Sequence, residues 1–169
     1  GEGFVRGVRR KGFDPVGRRA LVVGSGAVGS AIAASLAQAG VSALGLYDVN
    51  AASAQGLGER LQQHYPALEV RVGSNDPEGF DLVVNATPMG MNAGDPLPMD
   101  VSRIAPSALV GEVVMRTEMT AFLAAARARG CTVQIGSDML FEQIPVYLEF
   151  FGLPTTTPEV LRAVAQLGA

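Results

Sequence analysis

The chain has 169 residues, a formal net charge of −3, and 48% hydrophobic against 17% charged residues. That length suits one domain with a proper core, and the charge balance excludes a basic nucleic-acid or anionic-membrane surface. Cys131, the sole cysteine, excludes an internal disulfide and leaves a reduced, cytoplasmic setting as the expectation.

Near the start, Phe4, Val5 and Val8 fall at i, i+1 and i+4, which predicts an amphipathic helix. Arg6, Arg9, Arg10 and Lys11 read as its solvated side. From Ala20 to Tyr47 the chain carries no charge. An export signal needs an apolar stretch of ~7–15 residues close to the N-terminus, whereas Asp14 and Pro15 lie within the segment that precedes Arg18 here. A membrane span needs ~20 strongly apolar residues, whereas Gly24, Gly26 and Gly29 interrupt this stretch. Local chemistry divides it instead. Residues 20–23 are a short β-branched run that predicts a buried parallel strand. The glycines make a turn. Val28, Ile32, Leu36 and Ala39 then share one face of a helix that Gly40 ends.

Strand, turn and helix are the setting in which G-x-G-x-x-G carries meaning. The residues are Gly24, Ser25, Gly26, Ala27, Val28 and Gly29. Gly24 permits the tight turn, Gly26 lets the backbone approach a pyrophosphate, and Gly29 lets helix pack on strand. The N–H groups of the helix start face the phosphates. Asp48 lies 19 residues beyond Gly29, at the end of the next apolar run, where a carboxylate can accept hydrogen bonds from an adenosine ribose. Together these predict a dinucleotide site.

The same rhythm continues. Asn50 is placed to cap a helix whose Ala54, Leu57 and Leu61 share a face. Residues 69–72 and 81–84 are strand candidates, and 92–98 is a Gly/Pro loop. Residues 108–114 predict another strand, Thr117 the cap of the helix after it, and Gly130 that helix's end. A sixth strand covers 132–135. Ser137 and Asp138 open a helix that Pro145 should kink or interrupt, and Thr157, Pro158 and Glu159 start the last one. Alternating strands and helices predict a three-layer, doubly wound α/β domain of Rossmann-like type, with its ligand beyond the carboxyl ends of the strands. His64 and Cys131 have no partners at metal-ligand spacing. His64 reads as surface or half-buried and Cys131 as core. No metal site is expected.

Three segments go further. Asn85-Ala86-Thr87-Pro88-Met89-Gly90-Met91 resembles the N-x-T-x-x-G-M segment of the shikimate and quinate dehydrogenases. Residues 136–143, from Gly136 to Gln143, resemble their G-x-x-M-L-x-x-Q segment, and Gly1-Glu2-Gly3-Phe4 resembles the end of their D-G-x-G-F segment. The resemblance covers their C-terminal cofactor domain, with the N-terminal substrate domain absent from the chain. It implies hydride transfer between a nicotinamide dinucleotide and a cyclic hydroxy acid. Thr87, Val113, Gly136 and Met139 would line the nicotinamide end, and Gln143 would reach the substrate. The family's proton-handling lysine and aspartate belong to the missing part. Lys11, the sole lysine, lies downstream of the family position, so no catalytic residue is assigned.

One departure stands out. The family pattern D-x-V-Y-x-P-x-x-T reads here as Glu112 to Thr120, with Met115 in place of the substrate-holding tyrosine. Met115 has no hydroxyl donor, which points to a divergent subgroup. Arg116 is read as solvated, with a substrate carboxylate as its alternative partner. NAD is expected over NADP, because Asp48 stands where NADP-using relatives commonly carry arginine. The D-G-x-G-F match predicts an aspartate directly before Gly1 in the native polypeptide, preceded by roughly a hundred residues of substrate domain. The alternative reading is a non-catalytic NAD(P)-binding module, a sensor or remnant. Oligomeric state stays open, a homodimer among the options.

Overall fold

The computed structural model describes residues 1–92, 94–113 and 119–167, with side chains to residue 165. Six α-helices and six strands follow in this order: α1 (Glu2–Arg10), β1 (Arg19–Val23), α2 (Ala27–Gln38), β2 (Ala43–Tyr47), α3 (Ala51–His64), β3 (Glu69–Val72), β4 (Leu82–Asn85), β5 (Leu109–Glu112), α4 (Ala121–Ala128), β6 (Thr132–Gln134), α5 (Gly136–Phe150) and α6 (Pro158–Leu167), with a short 3-10 turn at Val101–Arg103 between β4 and β5. Among these residues no helix is long and apolar enough to cross a membrane.

All six strands are parallel, in the order β3-β2-β1-β4-β5-β6. Strand order reverses between β1 and β4, so the crevice beyond their carboxyl ends is the switch point. Successive side chains of a strand point to opposite faces, and the two cores follow that alternation. Ala20 and Val22 join Ile32, Leu36, Leu57 and Leu61 on the face covered by α2 and α3. Leu21 and Val23 join Ile104, Phe122, Leu123 and Cys131 on the face covered by α4. Asn50 caps α3 by accepting from Ser53 N–H, and His64 is exposed.

Helix α1 buries Phe4, Val5 and Val8. It lies so close to the sheet that a Cβ on Gly111 would come within 2.8 Å of the Phe4 ring. Of the basic residues along and just after α1, Arg9 is exposed as expected, whereas Arg6, Arg10 and Lys11 are not simply solvated. Arg6 pairs with Glu149, Arg10 with Glu142 and Glu159, and Lys11 with Asp138, all on α5 and α6. Arg162 completes the set by pairing with Asp138 at 2.6 Å.

Four expectations change in detail. Helix α5 runs through Pro145 without interruption. The Gly3–Gln143 bond and the Arg6 and Arg10 pairs hold α5 against α1 on both sides of the proline, and this packing outweighs one lost backbone bond. Val28 is 42% exposed, and Ala33 and Ala37 join Ile32 and Leu36 on the buried face of α2. Val28 sits in the first turn, where Gly29 is the residue that meets the sheet side of the turn. Helix α4 is capped by Thr120, whose hydroxyl accepts from Leu123 N–H. Thr117 lies outside the described residues. Strand β5 ends at Glu112, short of the expected 114.

Candidate functional site

The glycine turn joins β1 to α2 at the switch point. Gly24 has φ +107°, and a Cβ there would lie 2.8 Å from the backbone of Ala86, just after β4. A Cβ on Gly29 would lie 2.0 Å from the Gly24 carbonyl oxygen. Gly26 differs: a Cβ would meet nothing within 4 Å. The first and third glycines are therefore required by the turn itself, while the second borders open space. Helix α2 starts there with no side-chain cap and no acidic residue in its first turn, which leaves N–H donors for an anion. Ser25 Oγ is buried without a hydrogen-bond partner. Open space over Gly26, uncapped N–H groups and an orphaned hydroxyl are what a pyrophosphate-containing dinucleotide fits. Ala27 and Val28 are exposed in the same turn.

Asp48, at the tip of β2, is brought directly against this turn. Its Oδ2 accepts from Ser25 N–H at 2.7 Å, and its Oδ1 from Asn50 N–H at 2.8 Å. Each carboxylate oxygen keeps a second lone pair for a further donor.

Beyond β4 the chain makes a compact turn organised by Asn85, which is fully buried. Its Oδ1 accepts from the N–H and the hydroxyl of Thr87, and its Nδ2 donates to the Met89 carbonyl at 3.0 Å. Thr87 Oγ1 in turn accepts from Met89 N–H. Asn85 Nδ2 also donates to Oε2 of Glu112, and the Thr120 hydroxyl donates to Oε1. Glu112 is 1% exposed, and burial pushes its carboxyl above the usual carboxylate range, against the opposing pull of the Thr120 and Asn85 hydrogen bonds. Sequence reasoning missed Glu112 and Thr120 as a pair. They are eight residues apart with no shared element, and no local signal joins them.

Of the remaining expected residues, Val113 and Gly136 follow the ends of β5 and β6, and Met139 and Gln143 lie on α5. Val113 follows β5, half-buried, and donates its N–H to the Asn85 carbonyl. Gly136 opens α5 and is buried, and Met139 packs partly buried against the core. Gln143 is half-buried, and its Oε1 accepts from Gly3 N–H at 3.0 Å. Met115 and Arg116 lie outside the described residues.

No protein-family model matches the chain. A shikimate dehydrogenase (NADP(+)) of Rubrobacter xylanophilus is 40% identical over 147 residues, which is 85% of this chain and 52% of that protein. Over most of its own length the chain is similar to the shikimate and quinate dehydrogenases. Two solved structures are similar to it as well. A quinate dehydrogenase from Corynebacterium glutamicum in complex with NAD superposes with TM-score 0.80 at 32% identity, over 92% of this chain and 57% of that one. The ligand-free 5-ketofructose reductase of Gluconobacter sp. strain CHM43 gives 0.86 at 27% identity, over 95% and 59%. The chain thus spans little more than half the length of the relatives it matches.

Proposed function

We propose that the chain is the cofactor-binding domain of a shikimate/quinate dehydrogenase-like oxidoreductase, which transfers a hydride between a nicotinamide dinucleotide and a cyclic hydroxy acid. The observation that carries this reading is the Asp48–Ser25 contact, which sets an acceptor for ribose hydroxyls beside an uncapped helix start. In this reading the N–H groups at the start of α2 hold the pyrophosphate and Asp48 holds the adenosine ribose. Thr87, Val113, Gly136 and Met139 border the nicotinamide. When bound, that ring supplies the hydride chemistry. Gln143 spends its carbonyl on Gly3 N–H, so its amide N–H groups are the donors it offers a substrate hydroxyl.

NAD is the preferred cofactor in this proposal. A carboxylate at Asp48 repels a 2′-phosphate and accepts from a free 2′-hydroxyl. Among the relatives, the Rubrobacter enzyme is named for NADP(+) and the Corynebacterium structure holds NAD, so relatedness alone does not choose between them.

Catalysis needs more than this chain contains. Its sole lysine, Lys11, is tied to Asp138 at 3.1 Å, and positioning of substrate against cofactor supplies several kcal/mol in such reactions. The purified 169-residue chain is expected to bind NADH in a fluorescence titration and to show no turnover of shikimate or quinate. Turnover at the rate of an intact relative overturns the proton-relay part of this reading. Absence of NADH binding overturns all of it.

A further inference from the structure

Glu112 is the most deeply buried carboxylate in the molecule's described part that has no cationic partner within its hydrogen-bond set. Both of its oxygens are used, and each partner belongs to a different segment at the carboxyl ends of the strands. Asn85, 0% exposed, ends β4 and builds the turn containing Thr87, Met89 and Gly90. Thr120, 2% exposed, caps α4 where the chain returns from β5. The two segments also touch: a Cβ on Gly90 would lie 3.7 Å from Thr120 Cβ. On its other side the Asn85 turn meets the glycine turn, because a Cβ on Gly24 would lie 3.1 Å from Thr87 N. A continuous chain of contacts therefore runs from Glu112 through Asn85 and Thr87 to the β1–α2 turn.

We propose that Glu112 is a positioning residue for the nicotinamide end of the cofactor site, acting through Asn85 on the Thr87 turn and through Thr120 on the return from β5. The proposal rests on the cofactor reading above. Burying an ionisable group opposes folding unless its hydrogen bonds are supplied, and an apolar residue of similar size would fill this space at lower cost. What the carboxylate adds is geometry. Two acceptor oxygens on one rigid group fix two donors from separate loops relative to each other. An amide can accept at only one of those positions. It still satisfies Asn85 if its nitrogen turns to the Thr120 hydroxyl oxygen, which also accepts from Leu123 N–H. The adenine half of the site, at Asp48 and the start of α2, lies further along this chain of contacts: Asp48 bonds Ser25 and Asn50, and the hydrogen bonds of Glu112 among the described residues go to Asn85 and Thr120, so the glycine turn is reached only through the packing of Gly24 on Thr87.

The test separates the two halves of the cofactor. NADH and ADP-ribose, which lacks the nicotinamide ring, are titrated against the wild-type chain, Glu112→Leu and Glu112→Gln, with the emission of bound NADH recorded. The expected result is about tenfold weaker NADH binding in Glu112→Leu, a smaller loss in Glu112→Gln, and ADP-ribose affinity within about twofold in both. The emission of bound NADH shifts toward that of free NADH in the same order. If Glu112→Leu does not fold, Glu112→Gln decides alone: a loss confined to NADH supports the proposal. Unchanged NADH binding, or parallel losses of both ligands, overturns it. A wild-type chain that binds neither ligand overturns the cofactor reading and this inference together. A wild type that binds both, with variants that fail to separate them, overturns the inference alone.

Discussion

Asp48 Oδ2 accepts a 2.7 Å hydrogen bond from the backbone N–H of Ser25, which ties the end of β2 to the glycine turn after β1. The same carboxylate orders the start of α3 through Asn50 N–H. One side chain therefore shapes the turn and presents negative charge beside it.

In the proposed function that charge selects between the two cofactors. The wild-type chain is expected to bind NAD at least about tenfold more tightly than NADP, a difference of ~1.4 kcal/mol. Asp48→Ala should remove this preference and weaken NAD binding, since it deletes both the acceptor and the bond to Ser25. Calorimetric titration with both cofactors measures it. Tighter NADP binding by the wild type sinks the role given to Asp48.

Gly26 and Gly29 should separate binding from folding. A Cβ on Gly29 meets the Gly24 carbonyl oxygen at 2.0 Å, so Gly29→Ala has to displace backbone and should destabilise by several kcal/mol, about 3 or more. A Cβ on Gly26 meets nothing, and its φ of −75° suits alanine. Gly26→Ala should keep its melting temperature and lose NADH affinity by about tenfold or more. Thermal melts and NADH titration of both variants check the pair.

Arg10 is expected to matter for stability, Arg9 not. Glu142 has a side chain only 4% exposed, and Arg10 Nε stands 2.8 Å from its Oε1. That oxygen receives no aligned hydrogen bond, so the pairing is one of charge. Arg10→Met leaves the carboxylate buried and unpaired, at a cost of about 1–3 kcal/mol, discounted here because Arg10 itself is half exposed. Arg9 is exposed, and Arg9→Met should change stability by less than about 0.5 kcal/mol. Urea unfolding of the two variants gives the comparison.

The raised pKa of Glu112 has a pH signature. Burial is the largest cause of the shift. Between the two pKa values, an acid whose folded pKa exceeds its unfolded one is protonated in the native state while the unfolded chain has already ionised. The unfolded state then binds fewer protons, so stability falls as pH rises from the ordinary carboxylate range through the raised pKa, and levels off above it. Glu112→Gln should flatten that part of the curve. Denaturant unfolding at a series of mildly acidic to neutral pH values measures the slope, and an identical slope in both proteins contradicts the assignment.

Local chemistry in the sequence determined much of this protein. The start of the uncharged run after Arg19 reads as a buried strand, a glycine turn and a helix, because a short β-branched run, the glycines and a helical repeat of apolar residues follow one another there. Gly24, Gly26, Gly29 and Asp48 marked the candidate site for the same reason: turn conformation, close backbone approach and acceptor chemistry are properties of single residues at short range. Pro145 does not interrupt α5, because its missing donor is a local fact while the packing of α5 against α1 is not. The three buried members of the Asn85–Glu112–Thr120 network were likewise invisible as a unit. Asn85 and Glu112 are opposite each other only through the β4–β5 register, and Thr120 reaches Glu112 only because α4 folds back beside the strand. Parallel pairing brings together residues that are far apart in sequence, and no periodicity along the chain encodes which two will meet. The tertiary structure alone decided that Lys11 and Arg10 face acidic partners on α5 and α6, and that a carboxylate lies buried beneath the turn of Thr87.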